Sequence, residues 1–205
     1  MEISGHTRLL CLIGSPVAHS GSPAMSNYSF EKLGLDYRYL AFDIKEEDTK
    51  KAIEALKMMN FRGCNITMPG KTVAASCCDE LSKAAELTGA VNTIVNEDGK
   101  LVGHITDGTG WIRNCLEHDF DIHGKKLVIA GCGGAGTAIQ IAAALGGAKD
   151  VVILARKSSV RYANGEATVQ KIREHVPECR AEIFDLEDVG AVRRALAGAD
   201  LFCNA

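Results

Sequence analysis

The chain has no apolar run of membrane-spanning length, so nothing in its 205 residues reads as a transmembrane helix. It also lacks a basic tail or stripe and an acidic block. Its 23 Lys and Arg against 26 Asp and Glu give a net charge of −3, with the two signs interspersed. That balance excludes a nucleic-acid footprint and a solvating acidic tail. No lysine-rich segment leads into an apolar stretch and a cleavage site, so a cytoplasmic location is expected. Internal repeats and low-complexity tracts are missing too, which excludes solenoids. Metal and disulfide chemistry find little support. There are eight cysteines but no Cys-x-x-Cys and no Cys/His cluster. Cys11, Cys64, Cys115, Cys132, Cys179 and Cys203 are scattered through apolar or glycine-rich segments, and Cys77-Cys78 adjoin in a predicted helix. Buried free thiols and no metal site are expected.

What is present is an ordinary globular composition, 46% hydrophobic, in a pattern that alternates strand and helix. Strands are predicted at 9–13, 37–42, 61–67, 91–95 and 101–105, the last two joined by Asn96-Glu97-Asp98-Gly99, a good hairpin turn. Helices are predicted at 22–33, 46–59 and 72–87, with an interruption near Asp79. Ser22-Pro23 is a sound helix start, because serine can cap free N–H groups and proline has no donor to lose. A helix at 108–120 connects to a second half that reads strand 127–130, helix 135–145, strand 151–155, helix 166–175, strand 181–184, helix 188–197 and strand 200–203. The expected class is α/β. An N-terminal α/β substrate domain with a mixed sheet spans 1–107, and a connecting helix spans 108–123. A doubly wound Rossmann-like NAD(P) domain spans 124–205. The last strand runs straight into Ala205, where a complete dinucleotide fold continues, so that domain reads as truncated and the sequence as a fragment.

Residues 131–136 read Gly-Cys-Gly-Gly-Ala-Gly between an apolar strand and a helix of small residues. Gly131, Gly133 and Gly136 have fingerprint spacing, with Gly134 and Ala135 between them. The first glycine permits the tight turn, the second lets backbone approach a pyrophosphate, and the third allows close helix–strand packing. The end of the next strand, Ala155-Arg156-Lys157-Ser158, offers two cations and a hydroxyl but no carboxylate for a ribose 2′-hydroxyl. That suits the 2′-phosphate of NADP, with Arg156 giving charge-assisted contacts, and NAD is the alternative cofactor. The plain alternative is a solvated strand end.

Polar residues also gather where the first-half strands end: His19-Ser20-Gly21-Ser22, Asn65-Ile66-Thr67 through Gly70-Lys71, Gly89 through Asn92-Thr93, and Thr106-Asp107-Gly108. Hydroxyls and amides with one lysine and one carboxylate fit a small polyhydroxylated substrate. Lys71 can move the proton that hydride transfer at a secondary alcohol requires, and Asp107 can orient it or share the proton. On residue chemistry alone, a structural salt bridge between the two stays open. So does a metabolite-binding module without turnover.

Taken together these segments resemble the shikimate dehydrogenase family, including quinate/shikimate dehydrogenase. The resemblance rests on Gly14-Ser15-Pro16 through Pro23, on Asn65 through Lys71, on Gly89 through Thr93, on Thr106-Asp107-Gly108 and on the glycine fingerprint, in that order. It implies reversible reduction of 3-dehydroshikimate to shikimate with NADPH in aromatic amino-acid biosynthesis. The alternative it allows is a quinate/shikimate enzyme using NAD or NADP. It implies a small-molecule substrate as partner and a monomer or homodimer. Ser20 and Ser22 would hold the substrate carboxylate, and Thr67, Asn92 and Asp107 would meet ring hydroxyls. Asn65 would line the same wall, and Lys71 would be the catalytic acid/base paired with Asp107. The chain departs from the family pattern at Ser26 (often His), Gly70 (His or Asn), Ile105 (Asn) and Ala155 (Asn). The last bears on cofactor preference.

Overall fold

Arg8–Gly14 forms the first strand, β1, and its run Leu9-Leu10-Cys11-Leu12-Ile13 is apolar throughout because both faces are covered. The computed structural model describes residues 3–205. They divide into two compact units, one ending at Ile105 and one spanning Thr106–Ala205.

In the first unit β1 pairs in parallel with β2 (Tyr37–Asp43) on one side and β3 (Gly63–Ile66) on the other. The antiparallel strands β5 (Thr93–Glu97) and β6 (Lys100–His104) and the two-residue β4 (Glu80–Leu81) complete a mixed sheet of order β2-β1-β3-β5-β6-β4. Asp98 and Gly99 turn β5 into β6 with φ of 52° and 96°, the positive pair that a two-residue hairpin demands. Helix α1 (Ser22–Lys32) covers one sheet face, where Leu12, Val17 and Tyr39 pack with Phe30. Helix α2 (Thr49–Met58) buries Ile53 and Leu56 on the other. Each such aliphatic side chain contributes about 1.5–3 kcal/mol by leaving water.

Four predicted elements are corrected. Gly21, not Ser22, occupies the N-cap of α1, and the Ser20 hydroxyl accepts from the Ser22 N–H at 3.2 Å. The 46–59 helix begins as a separate 3-10 turn, Glu46–Asp48, ahead of α2. The 72–87 helix is two helices, α3 (Lys71–Ser76) and α4 (Lys83–Thr88). Between them Glu80 and Leu81 pair with Val102 and Gly103, and Ser82 caps α4 through the Ala85 N–H at 3.3 Å. Tertiary strand pairing there overrides the helical propensity of the segment. In the second unit the helix expected from 166 starts four residues earlier.

That unit opens with α5 (Asp107–Glu117), read from the sequence as a connecting helix, which packs against α6 (Gly134–Leu145). Gly108 lets the two approach, since a Cβ there would lie 2.5 Å from the Ala142 methyl. Four parallel strands follow in the order β10-β7-β8-β9: β7 (Lys126–Ala130), β8 (Asp150–Ala155), β9 (Arg180–Asp185) and β10 (Leu201–Asn204). Helix α7 (Tyr162–His175) lies on the Ile153 and Ile183 face, where Gly165 approaches Ile183. Helix α8 (Val189–Leu196) lies on the other, with Ala195 against Val128, Val152 and Leu154. The sheet is doubly wound. Its order reverses at β7, and the crevice outside such a reversal is where open α/β sheets take ligands.

Candidate active site

In the first unit, β1, β3 and β6 run in the same direction, so their C-terminal ends emerge at one edge of the sheet. Ser20 and Ser22 follow β1; Thr67 and Lys71 follow β3; Asn92 precedes the antiparallel β5 and therefore lies at this edge too. Main-chain bonds knit the group together. Thr67 N–H donates to Ile13 at 2.9 Å, Ile66 N–H to Asn92 at 2.8 Å, and Val91 N–H to Lys71 at 2.9 Å. Ser20, Ser22, Asn65, Thr67, Lys71 and Asn92 are all half-buried.

The amides are fixed by specific partners. Asn65 Oδ1 accepts from the Tyr39 hydroxyl at 2.8 Å, and its Nδ2 donates to Thr93 Oγ1 at 3.1 Å. Thr93 in turn donates to Asn92 Oδ1 at 3.0 Å. Burial, with the Cys11 and Cys64 thiols beside it, pushes the Tyr39 phenol well above its usual range and keeps it a donor. Tyr39 escaped the sequence reading because its alternation marks it as core. Only the register of β2 on β1 aims it at Asn65.

Lys71 is the first residue of α3. Before it stands Gly70, one of the departures from the family pattern. A Cβ at Gly70 would lie 2.7 Å from Thr49 Oγ1. Thr49 is itself buried and donates to the Lys45 carbonyl at 3.2 Å, so the space next to Lys71 is filled from α2. Asp107 is the first residue of α5 and half-buried.

In the second unit a cavity of about 390 Å³ opens over the glycine turn. Its walls are the turn itself from Gly131 to Gly136, the ends of β7, β8 and β10, and Arg156, Ser159, Arg161 and Tyr162. A Cβ at Gly136 would lie 2.5 Å from the Gly131 carbonyl oxygen, whereas one at Gly133 would meet only the Arg161 guanidinium, at 3.8 Å. The bare second glycine and the first turn of α6 thus face open space beside a cation, which fits a pyrophosphate. Lys157 and Ser158 stand outside this lining. The Lys157 main-chain N–H donates to Asp185 at 3.1 Å, and the Ser158 hydroxyl to Glu187 at 3.4 Å. Arg161, further along the chain, lines the cavity instead. The Ser159 hydroxyl accepts its N–H at 3.2 Å and turns the chain into α7, which brings the guanidinium back over the glycines.

Among the described residues, no group of three or more His, Cys, Asp or Glu could hold a metal ion, and no helix is long and apolar enough to cross a membrane.

Comparison with known proteins places this geometry in a family. The profile of the shikimate dehydrogenase substrate binding domain matches residues 12–94. The shikimate dehydrogenase (NADP(+)) of Listeria monocytogenes serotype 4b is 51% identical over 204 residues, covering all of this chain and 69% of that protein. The crystal structure of shikimate 5-dehydrogenase from Listeria monocytogenes in complex with shikimate and NAD superposes with a TM-score of 0.95 at 50% identity, over all of this chain and 70% of that one. Quinate dehydrogenase from Corynebacterium glutamicum in complex with NAD gives a TM-score of 0.83 at 28% identity, over 97% of this chain and 70% of that one.

Proposed function

This chain belongs to the shikimate/quinate dehydrogenase family, and on that premise we propose that it interconverts shikimate and 3-dehydroshikimate with either NAD or NADP. The observation that carries the substrate assignment is the set Asn65, Thr67, Lys71 and Asn92 at one sheet edge, with the amides anchored by Tyr39 and Thr93. A ring bearing several hydroxyls needs that density of directional donors and acceptors. An apolar ligand would leave them unpaired at a cost.

When bound, the dinucleotide supplies the hydride acceptor or donor. Gly131 through Gly136 would receive its pyrophosphate, with Arg161 beside it and Arg156 at the adenosine side. The proton is the task of the chain's own residues. As the alcohol carbon gives up its hydride, Lys71 Nζ takes the proton from the hydroxyl oxygen, and in reduction it returns that proton to the new alkoxide oxygen. Asp107 accepts a hydrogen bond from a neighbouring ring hydroxyl. The Ser20 and Ser22 hydroxyls donate to the substrate carboxylate at the start of α1. Asn65, Thr67 and Asn92 fix the ring so that a single hydroxyl faces Lys71.

The lining of the pocket supports both cofactors. No carboxylate at the end of β8 repels a 2′-phosphate, and the two arginines that line the pocket are exposed, so a cofactor without that phosphate leaves no buried cation unpaired. The relatives point the same way, one named for NADP and one solved with NAD. The test is to follow absorbance of the reduced cofactor with shikimate or quinate and with NADP or NAD. Turnover of shikimate with both cofactors supports the proposal. Turnover of quinate alone would reassign the substrate. Tight binding without turnover in any combination would make the protein a metabolite-binding module.

A further inference from the structure

Gln140 lies half-way along α6 and is fully buried, 0% exposed, between Ile139 and Ile141. A carboxamide in such a place is costly unless both of its ends are paired. Its Nε2 donates to the Gly131 carbonyl at 2.8 Å, but its Oε1 has no hydrogen-bond partner among the described residues. The bond it does make goes to the glycine turn, because helical side chains lean back toward the N-terminus. The same Gly131 carbonyl lies 2.5 Å from the point where a Cβ on Gly136 would sit. It is therefore held between the bare backbone of Gly136 and the Gln140 amide. A trans peptide is planar, so pinning this C=O against α6 turns the Cys132 N–H to the opposite side. Cys132 belongs to the wall of the 390 Å³ cavity.

We propose that Gln140 is a positioning residue for the dinucleotide: by holding the Gly131 carbonyl it presets the peptide plane whose N–H meets the pyrophosphate. The inference rests on the dinucleotide reading given above. A methionine would fill the same space without an orphaned oxygen, so the donor is the property that distinguishes glutamine here. Reversing the amide would set Oε1 against the Gly131 oxygen, which fixes its orientation.

The test is calorimetric titration of NAD+ and NADP+ into the protein, Gln140→Met and Gln140→Glu, with a thermal melt of each. The methionine variant should melt at or above the unaltered protein, yet bind both cofactors about tenfold more weakly, the scale of one hydrogen bond. In the glutamate variant the protonated carboxyl can donate to Gly131 and the carboxylate cannot. Its affinity for NAD+ should therefore rise as pH falls, while that of the unaltered protein stays level. Equal affinity in Gln140→Met, or a lower melting temperature with affinity unchanged, would reduce Gln140 to a packing residue and overturn the proposal. If the unaltered protein bound neither cofactor, the dinucleotide reading would fail first, and this inference with it.

Discussion

The Tyr39 hydroxyl donates to Asn65 Oδ1 at 2.8 Å across the top of β1, which lies between their two strands. Tyr39 pairs with Leu10 and Asn65 with Leu12, so all four side chains share one sheet face. A residue of the core thereby sets the orientation of an amide at the polar edge of the sheet. Tyr39→Phe should cost about 1 kcal/mol of stability in urea unfolding, the net worth of a typical hydrogen bond. It should raise KM for shikimate several-fold and leave kcat within about threefold, the pattern of lost uniform binding. A changed kcat with KM intact would place Asn65 away from the bound ring.

Lys71→Ala should lower kcat by about two to four orders of magnitude, the usual share of a positioned acid/base, with KM within a few-fold. Steady-state kinetics with shikimate checks it. A large rise in KM with ordinary kcat would make Lys71 a binding group.

The two glycines of the turn should respond in opposite ways. Gly136→Ala drives a methyl into the Gly131 carbonyl, 2.5 Å away, and should destabilise the second unit by about 1–3 kcal/mol. Gly133→Ala meets nothing closer than Arg161, 3.8 Å away, and should leave the melting temperature unchanged while weakening dinucleotide binding. Melts and calorimetry on both variants separate the effects. Unchanged binding in Gly133→Ala would move the pyrophosphate off this turn.

Arg156→Ala should lower kcat/KM for NADP more than for NAD, since only NADP carries the extra phosphate charge, whereas Arg161→Ala, whose guanidinium lies over the glycine turn, should lower both by a similar factor. An unaltered NADP/NAD ratio in Arg156→Ala would remove Arg156 from 2′-phosphate recognition.

Acid should weaken the first unit through Asp79. The Leu101 N–H at 2.7 Å, and then the Lys57 ammonium at 3.1 Å, hold this carboxyl below its ordinary value. Its ionised form is thus favoured by folding. The gain is complete above the ordinary carboxylate pKa of about 4 and is lost as pH falls through the lowered native value. Asp79→Asn should flatten the acid limb of melting temperature against pH. A limb as steep as before would assign acid sensitivity to other carboxylates.

The alternation of strand and helix was legible because it rests on local rules of periodicity, turn glycines and helix starts. Asp98-Gly99 turns where its backbone freedom says it should. The glycine fingerprint was legible for the same reason, and its flanking strand and helix are as expected. The break between α3 and α4 was only half legible. Asp79 hinted at it, but what makes the break is the pairing of Glu80 and Leu81 with a strand some twenty residues on. At the cavity over the glycine turn, the place of Arg156 in the lining could be read from its position at a strand end. Arg161 could not, because the loop between them decides which cation folds back over the turn.

The sequence by itself determined the class of fold, the family, and the residue types gathered at the strand ends, because propensity and motif spacing act over a few neighbouring residues. Only the tertiary structure decided which of those residues are held and by what. Tyr39 to Asn65, Thr49 to Gly70 and Gln140 to Gly131 are contacts of register and helix placement. Hydrogen bonds require atoms within about 3 Å, and separation along the chain carries no information about that distance.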